Sequence, residues 1–259
     1  MFQQWHERGV FTLAGYILGF PADTKASILR DIEIVKRELP VDILEFFFLT
    51  PLPGSADHKR MHEAGEWMDP DLNKYDLHHR VSHHQAMSDA EWEETYKAAC
   101  ATYFTWEHME TVARRHARLE RGKPNKVLQY LNEFRMLYEN EGVHTLEGGI
   151  IRRKRRCSRR PTLKRELAIL FYPGFAMEIA RKAFNYWRGF RTEKAVLKRV
   201  VNDPDRYKYT DLALQKATEE ELDSLDMFQK TRGGVAAVAK KHRYDEIIKA
   251  AKSLETVPA

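Results

Sequence analysis

The stretch from Gly15 to Ser55 constrains the fold more than any other, because it combines two apolar segments with an amphipathic segment between them. The first apolar segment, Phe11 to Phe20, lacks strict alternation, which is typical of a parallel strand covered on both faces. The second, Ile43 to Leu49, is apolar almost throughout, and the prolines that follow it cannot extend a sheet ladder. The sequence therefore predicts a βαβ unit.

The predicted connecting helix follows a turn at Gly19 to Pro21. The side chain of Asp23 or Thr24 can accept a hydrogen bond from the free amides at its start. Four apolar residues then recur at helical spacing, while charged residues occupy the other faces: Ile28, Ile32, Val35 and Leu39. The helix is predicted to end before Pro40.

Two motifs in this unit resemble the fifth and sixth strands of the partial (β/α)6 barrel of radical S-adenosylmethionine enzymes, most closely those with a cobalamin-binding domain. The first, GYILGFPADT, supplies three positions of a GxIxGxxE pattern and has Ala22 in place of the acidic residue. The second, FFLTPLPGS, ends the sixth strand. The resemblance implies that the adenine of S-adenosylmethionine contacts Gly15, Ile17, Gly19 and Phe20, and that Thr50, Pro51, Leu52 and Pro53 close that side of the site.

The cysteine content differs from that of a complete enzyme of this family. Relatives bind a 4Fe–4S cluster through a CxxxCxxC loop, since three thiolates must converge on the cluster. This chain contains only Cys100 and Cys157, far apart in the sequence. We therefore expect an α/β chain that holds the last two strands of a partial (β/α)6 barrel and is inactive alone. A missing amino-terminal half is expected to supply the cluster and, in the cobalamin-dependent type, the cobalamin.

Mostly α-helical segments are predicted after the strands, and the expected divisions are 1–57, 58–143 and 144–259. Ser88 to Glu91 has the form of a capping box and predicts one long helix that ends at Gly122. A largely aromatic stripe at helical spacing is interpreted as core packing rather than cofactor stacking: Trp92, Tyr96, Ala99, Tyr103, Trp106 and Met109. Cys100 beside it is interpreted as a small buried residue. A further helix is predicted over Lys126 to Glu141.

The segment that crosses between the strands and these helices contains four histidines: His78, His79, His83 and His84. Imidazole is the commonest protein ligand for zinc or iron, so a metal site is one interpretation. No cysteine or tight carboxylate cluster completes a recognised site, and a structural role is favoured. In the relatives a similar segment lies near the open end of the barrel, so Tyr75, Asp76 and His79 are candidates for lining the mouth of the active site.

The run Arg152 to Arg160 holds seven basic residues and no acidic one. A solvated segment is the favoured interpretation. Contact with nucleic acid or an anionic surface is the alternative, and it would make the chain a non-catalytic helical module. The apolar stretch Leu167 to Trp187 is broken by Pro173 and by charges, and it predicts a packed pair of helices, with an interfacial helix as the alternative. A last helix is predicted over Val235 to Leu254.

Composition favours a soluble, cytoplasmic protein. Hydrophobic residues make up 43% of the 259 residues and charged residues 31%, and the net charge is +5. No run approaches the roughly eighteen apolar residues that cross a membrane. Two strands cannot close a barrel, so we expect the open sheet edge to bind the missing half or a second copy. Tyr16, Leu18, Phe47 or their neighbours are expected on the uncovered face.

Overall fold

The βαβ unit predicted at the start of the chain is present in the computed structural model, which describes residues 2–142, 154–156 and 166–215. Within these ranges the chain is mostly helical, with one two-stranded sheet. The elements are α1 (Phe2–Glu7), β1 (Leu13–Leu18), α2 (Lys25–Glu38), β2 (Ile43–Phe48), α3 (Ala56–Glu63), α4 (Asp89–Tyr103), α5 (Trp106–Ala117), α6 (Pro124–Glu141) and α7 (Ala168–Val201). The α/β class is thus confirmed, and derivation from a barrel stays a prediction.

Strands β1 and β2 pair in parallel, with Leu13 opposite Ile43 and Leu18 opposite Phe48. Helix α2 between them is capped by Thr24, whose hydroxyl accepts a hydrogen bond from the Ser27 amide while the Ser27 hydroxyl accepts one from the Thr24 amide. The other candidate cap, Asp23, has a different role: its carboxylate accepts hydrogen bonds from the two amides that follow β1 and so fixes the turn into the helix.

The two faces of β1 have different surroundings. Tyr16 and Leu18 point toward the core that β2, α2 and α4 share, and Leu18 is fully buried. The expectation that these two residues lie on the uncovered face is therefore wrong. Successive side chains of a strand alternate, so Leu13 and Ile17 occupy the exposed face instead. Phe47 shares that face but is half-buried beside the ring of His78.

The long helix predicted after Ser88 is two helices. Ser88 caps α4 as predicted, but Phe104 leaves the helical conformation and Thr105 caps α5 by accepting a hydrogen bond from the His108 amide. The stripe of apolar residues nevertheless faces the core on both sides of this break, as predicted, and Cys100 is buried beside it. Helix α6 ends at Gly142 in the left-handed conformation, which also agrees with the prediction.

Helix α7 runs without interruption for 34 residues, so the prediction of two helices is wrong. Pro173, the sixth residue of α7, lies on an exposed side of the helix, and the helix continues through it although proline cannot donate the backbone hydrogen bond at that position. Further along, α7 packs on α6 at Gly189, where a Cβ atom would lie 2.7 Å from the sulfur of Met136. Among the described helices, none is long and apolar enough to cross a membrane. The predicted final helix and most of the basic run lie outside the described residues.

Candidate functional site

Most of the residues that the resemblance assigns to the cofactor lie at or after the carboxyl ends of the two strands, while Gly15 lies within β1. The Leu49 amide donates a hydrogen bond of 2.8 Å to the Leu18 carbonyl, so the chain leaves β1 and β2 side by side. Around this point three apolar side chains are exposed: Ile17 by 44%, Phe20 by 50% and Leu52 by 45%. We call these three residues the apolar patch. At this end of a parallel sheet, exposed apolar side chains are where a bound ligand or partner would exclude water.

Two predicted cofactor glycines have a packing role within this chain. Gly19 has a φ of +103°, and a Cβ atom there would lie 2.3 Å from the Trp92 ring. A Cβ atom at Gly15 would lie 2.9 Å from the ring of Phe47. Both positions therefore require glycine for aromatic packing, whether or not a base also contacts the backbone.

His84 ties the crossing segment to the turn after β1. Its Nδ1 atom accepts hydrogen bonds from the amides of Ala86 and Met87, both at 3.0 Å. The proton is therefore on Nε2, which donates to the Phe20 carbonyl at 2.9 Å. The ring also contacts Trp92, with centroids 5.2 Å apart. These contacts hold Phe20 at the edge of the apolar patch.

A cavity of about 520 Å³ lies next to the end of β2, between α4, α6 and the crossing segment. Its wall is aromatic and consists of Phe48, Tyr96, Phe104 and Tyr138, with Cys100 beside them. The rings of Phe48 and Tyr96 stack at a centroid distance of 4.7 Å. A largely apolar cavity of this size is typical of a small-molecule site.

The polar groups inside the cavity are held in their neutral forms. Burial raises the pKa of the Cys100 thiol to about 12 and also raises the pKa of the Tyr96 and Tyr138 hydroxyls. The Tyr96 hydroxyl lies 3.0 Å from Nδ1 of His78. A thiol with such a pKa is not a nucleophile at neutral pH, because the thiolate is the reactive form. Cys100 therefore contributes to the wall of the cavity as a neutral thiol.

Charged side chains at the rim of the cavity are paired with one another. Arg80 lies 3.1 Å from Asp89 and 3.2 Å from Glu93, and Arg135 lies 2.7 Å from Glu139. Lys74 pairs with Asp69, which holds the pKa of that carboxyl below its usual range. The residues that line the cavity include both signs of charge, so the rim does not select strongly for an anion or a cation.

The three predicted mouth residues have separate positions. His79 lines the cavity, and its Nδ1 atom lies 2.7 Å from a carboxylate oxygen of Asp76. The other Asp76 oxygen accepts hydrogen bonds from the amides of His78 and His79. The Tyr75 hydroxyl donates to the Asp69 carbonyl at 2.9 Å. Asp76 and Tyr75 therefore shape the crossing segment, and His79 alone of the three reaches the cavity.

The four histidines of the crossing segment do not converge. His78 contacts Tyr96, His79 contacts Asp76, and His84 contacts the Phe20 carbonyl. His83 lies 2.8 Å from Asp89 and stacks on Trp67. Within the part of the chain that the structure describes, none of the four belongs to a group of three converging metal-ligand atoms.

A different group does converge, and the sequence pattern did not indicate it: His6, Asp42 and His116 are all buried and offer ligand atoms within 4.8 Å of one another. His116 Nε2 donates to one Asp42 oxygen at 2.7 Å, and the other oxygen accepts from the amide and hydroxyl of Thr12 at 2.7 and 3.0 Å. Since both carboxylate oxygens are engaged, these contacts form a structural network.

His6 completes this network from α1. Its Nε2 atom donates to the Arg115 carbonyl at 3.2 Å, and its ring meets the His116 ring edge to face at 5.1 Å. Burial, together with the neighbouring His116, lowers the pKa of His6. The network thus joins α1, the start of β2 and α5. No local motif could reveal it, because its members are far apart in the sequence.

Comparison with protein-family models, with curated proteins and with solved structures found no match to this chain.

Proposed function

We propose that this chain forms the adenine side of the S-adenosylmethionine site in a radical enzyme, of the cobalamin-dependent type. One observation carries the proposal: Ile17, Phe20 and Leu52 are exposed apolar side chains at, or just after, the carboxyl ends of two parallel strands. Ligands of parallel α/β folds bind at this end of the sheet. A flat, largely apolar base would cover these side chains and exclude water from them.

The residues present fit the base but not the cluster. The apolar patch offers van der Waals contact to an adenine. Cys100, by contrast, is buried in the wall of the separate cavity, and Cys157 lies outside the described residues. Two cysteines cannot replace the three thiolates that a 4Fe–4S cluster requires. In a complete site the cofactor supplies radical chemistry, and the residues of this chain would bind and orient its base.

The cluster would come from another segment or polypeptide, and β1 offers a place for it to join. Within the described residues β1 pairs only with β2, so its second edge has free amides and carbonyls. Leu13, on the same face as Ile17, is exposed by 51%. An added strand would satisfy these backbone groups and cover this surface. The same edge predicts self-association when the chain is alone.

A nuclear magnetic resonance titration of the deuterated chain with S-adenosylmethionine tests the placement of the base. We expect amide shifts confined to residues 15–20 and 49–53, and we expect Ile17→Glu to abolish them. The matched control is Ile34→Glu, because Ile34 is exposed to a similar degree, 37%, on α2. Shifts elsewhere, or shifts that persist in Ile17→Glu, would contradict the proposal.

Cleavage of S-adenosylmethionine tests the dependence on a second segment. The isolated chain is reconstituted anaerobically with iron and sulfide, and its iron content and 5′-deoxyadenosine are measured. We expect neither a cluster nor cleavage, because the required cysteines are absent. About four irons per chain together with cleavage of the cofactor would refute this part of the proposal.

A further inference from the structure

Helix α7 exposes a band of apolar side chains along the first two thirds of its length. Six of them are at least half exposed: Ile169, Leu170, Tyr172, Met177, Phe184 and Trp187. The side of α7 that packs on the protein carries different residues, among them Tyr186, Gly189 and Val196. At about 100° per residue the exposed apolar residues fall within an arc of about 160°, opposite the packed side. We call this arc the outer face of α7.

The charged residues of α7 are sorted between the same two sides. Arg181, Arg188 and Arg191 are exposed beside the apolar band, and Arg191 lies over the Trp187 ring at 5.4 Å. The two glutamates of the helix are turned toward the protein. Glu178 pairs with the buried Lys182 at 2.8 Å, and Glu193 accepts a hydrogen bond from Asn132 at 2.8 Å. Every exposed charge on α7 is therefore positive.

We propose that the outer face of α7 binds an anionic membrane surface. An amphipathic helix that carries Trp and Phe on one side, flanked by Arg and Lys, is suited to lie in the plane of the interface. The aromatic rings would enter the headgroup region, and the long cationic side chains at the border would reach the phosphates. The apolar band from Ile169 to Phe190 would extend about 30 Å along the membrane surface at the helical rise per residue.

Charge favours lipid over a second copy of the chain. A symmetric dimer through this face would place the same surface on both sides of the interface. Arg181, Arg188 and Arg191 would then face one another, with no exposed carboxylate on α7 to neutralise them. An anionic bilayer brings opposite charge to every one of these positions.

Flotation of the full chain with phosphatidylcholine vesicles, with and without phosphatidylglycerol, tests the proposal. We expect binding to the anionic vesicles only, and a loss of at least about tenfold in the double variant Phe184→Glu, Trp187→Glu. The matched control is the double variant Leu72→Glu, Tyr207→Glu, which adds the same two charges at sites that are 68% and 58% exposed but outside α7. It should bind as the parent chain does. The exchanged residues are exposed, so circular dichroism should show unchanged folding.

A second variant separates the two contributions to binding. Replacing Arg181, Arg188 and Arg191 by glutamine should weaken binding and reduce its dependence on salt, since fewer phosphates are neutralised. Undiminished binding in the Phe184→Glu, Trp187→Glu variant would overturn the proposal. It would also be overturned if light scattering showed a dimer that this variant dissociates, because the outer face would then be a contact between copies.

Discussion

Replacing Asp42 by asparagine should destabilise the fold severely. The Asp42 carboxylate is buried and accepts three hydrogen bonds, one from His116 and two from Thr12. Asparagine keeps one acceptor oxygen and puts an amide donor in place of the other. In either orientation that donor faces the donors of His116 or of Thr12, so buried N–H groups lose their partner.

The expected loss is about 3–5 kcal/mol in the free energy of unfolding, because a hydrogen bond to a buried charged group contributes about 1.5–3 kcal/mol and a buried donor left without a partner costs about 1–3 kcal/mol more. That is a large part of the roughly 5–15 kcal/mol that stabilises a typical domain. Urea denaturation followed by circular dichroism measures this loss, provided that the free energy of unfolding depends on urea concentration with the same slope in both proteins. The matched control is Asp205→Asn, because the Asp205 side chain is 67% exposed and its ion pair with Lys208 lies at the surface.

The control variant should lose less than about 1 kcal/mol, as exposed ion pairs do. A loss of less than about 1 kcal/mol in Asp42→Asn as well would refute the role of the network. The coupling within the network can also be measured. Asp42→Asn and His116→Gln should be strongly non-additive in a double-mutant cycle, because the two residues share one hydrogen bond of 2.7 Å. Additive effects would show that the two side chains act separately.

Two further predictions follow from buried residues. Gly19→Ala should cost about 1–3 kcal/mol more than Gly54→Ala, because both glycines have positive φ but only Gly19 has the Trp92 ring where its Cβ would lie; equal melting temperatures would contradict this packing role. Burial, with smaller contributions from Arg115 and Lys36, lowers the pKa of His108 to about 3. In the unfolded chain the pKa of the His108 side chain is about 6.5, so below pH 6.5 the unfolded chain binds a proton that the folded chain excludes. The free energy of unfolding should therefore fall as the pH drops below 6.5, by about 2 kcal/mol at pH 5. Urea midpoints at pH 7 and pH 5 should show a smaller difference in His108→Leu, and an undiminished difference would assign the effect to other groups.

The elements that the sequence predicted well are those with local causes. The Thr24 cap, the apolar stripe of α2 and the left-handed Gly142 are set by residues within a few positions of one another. The break between α4 and α5 has a local cause too, since Thr105 caps the second helix. It was missed because Tyr103 and Trp106 keep helical spacing across it. The helical spacing of the apolar residues continues across the break, although the helical conformation of the backbone does not.

The faces of the sheet could not be assigned from the sequence. Phe11 to Phe20 is apolar at both odd and even positions, so the pattern alone does not say which side is covered. The structure buries Leu18 and exposes Ile17 because α2 and α4 cover only one side. The cavity was equally inaccessible to sequence reasoning. Tyr96 and Tyr138 belong to separate helices, and each fits a core position in its own helical pattern.

The buried network and the apolar patch are physically connected. Asp42 immediately precedes β2, and Thr12 immediately precedes β1. The Asp42 carboxylate binds the Thr12 amide at 2.7 Å, and the Ile43 amide donates to the Thr12 carbonyl at 3.1 Å, so these contacts set the register of the two strands at their first residues. A shift by one residue would turn Ile17 to the other face. The network at one end of the sheet therefore determines the exposure of Ile17 at the other end, where the cofactor is proposed to bind.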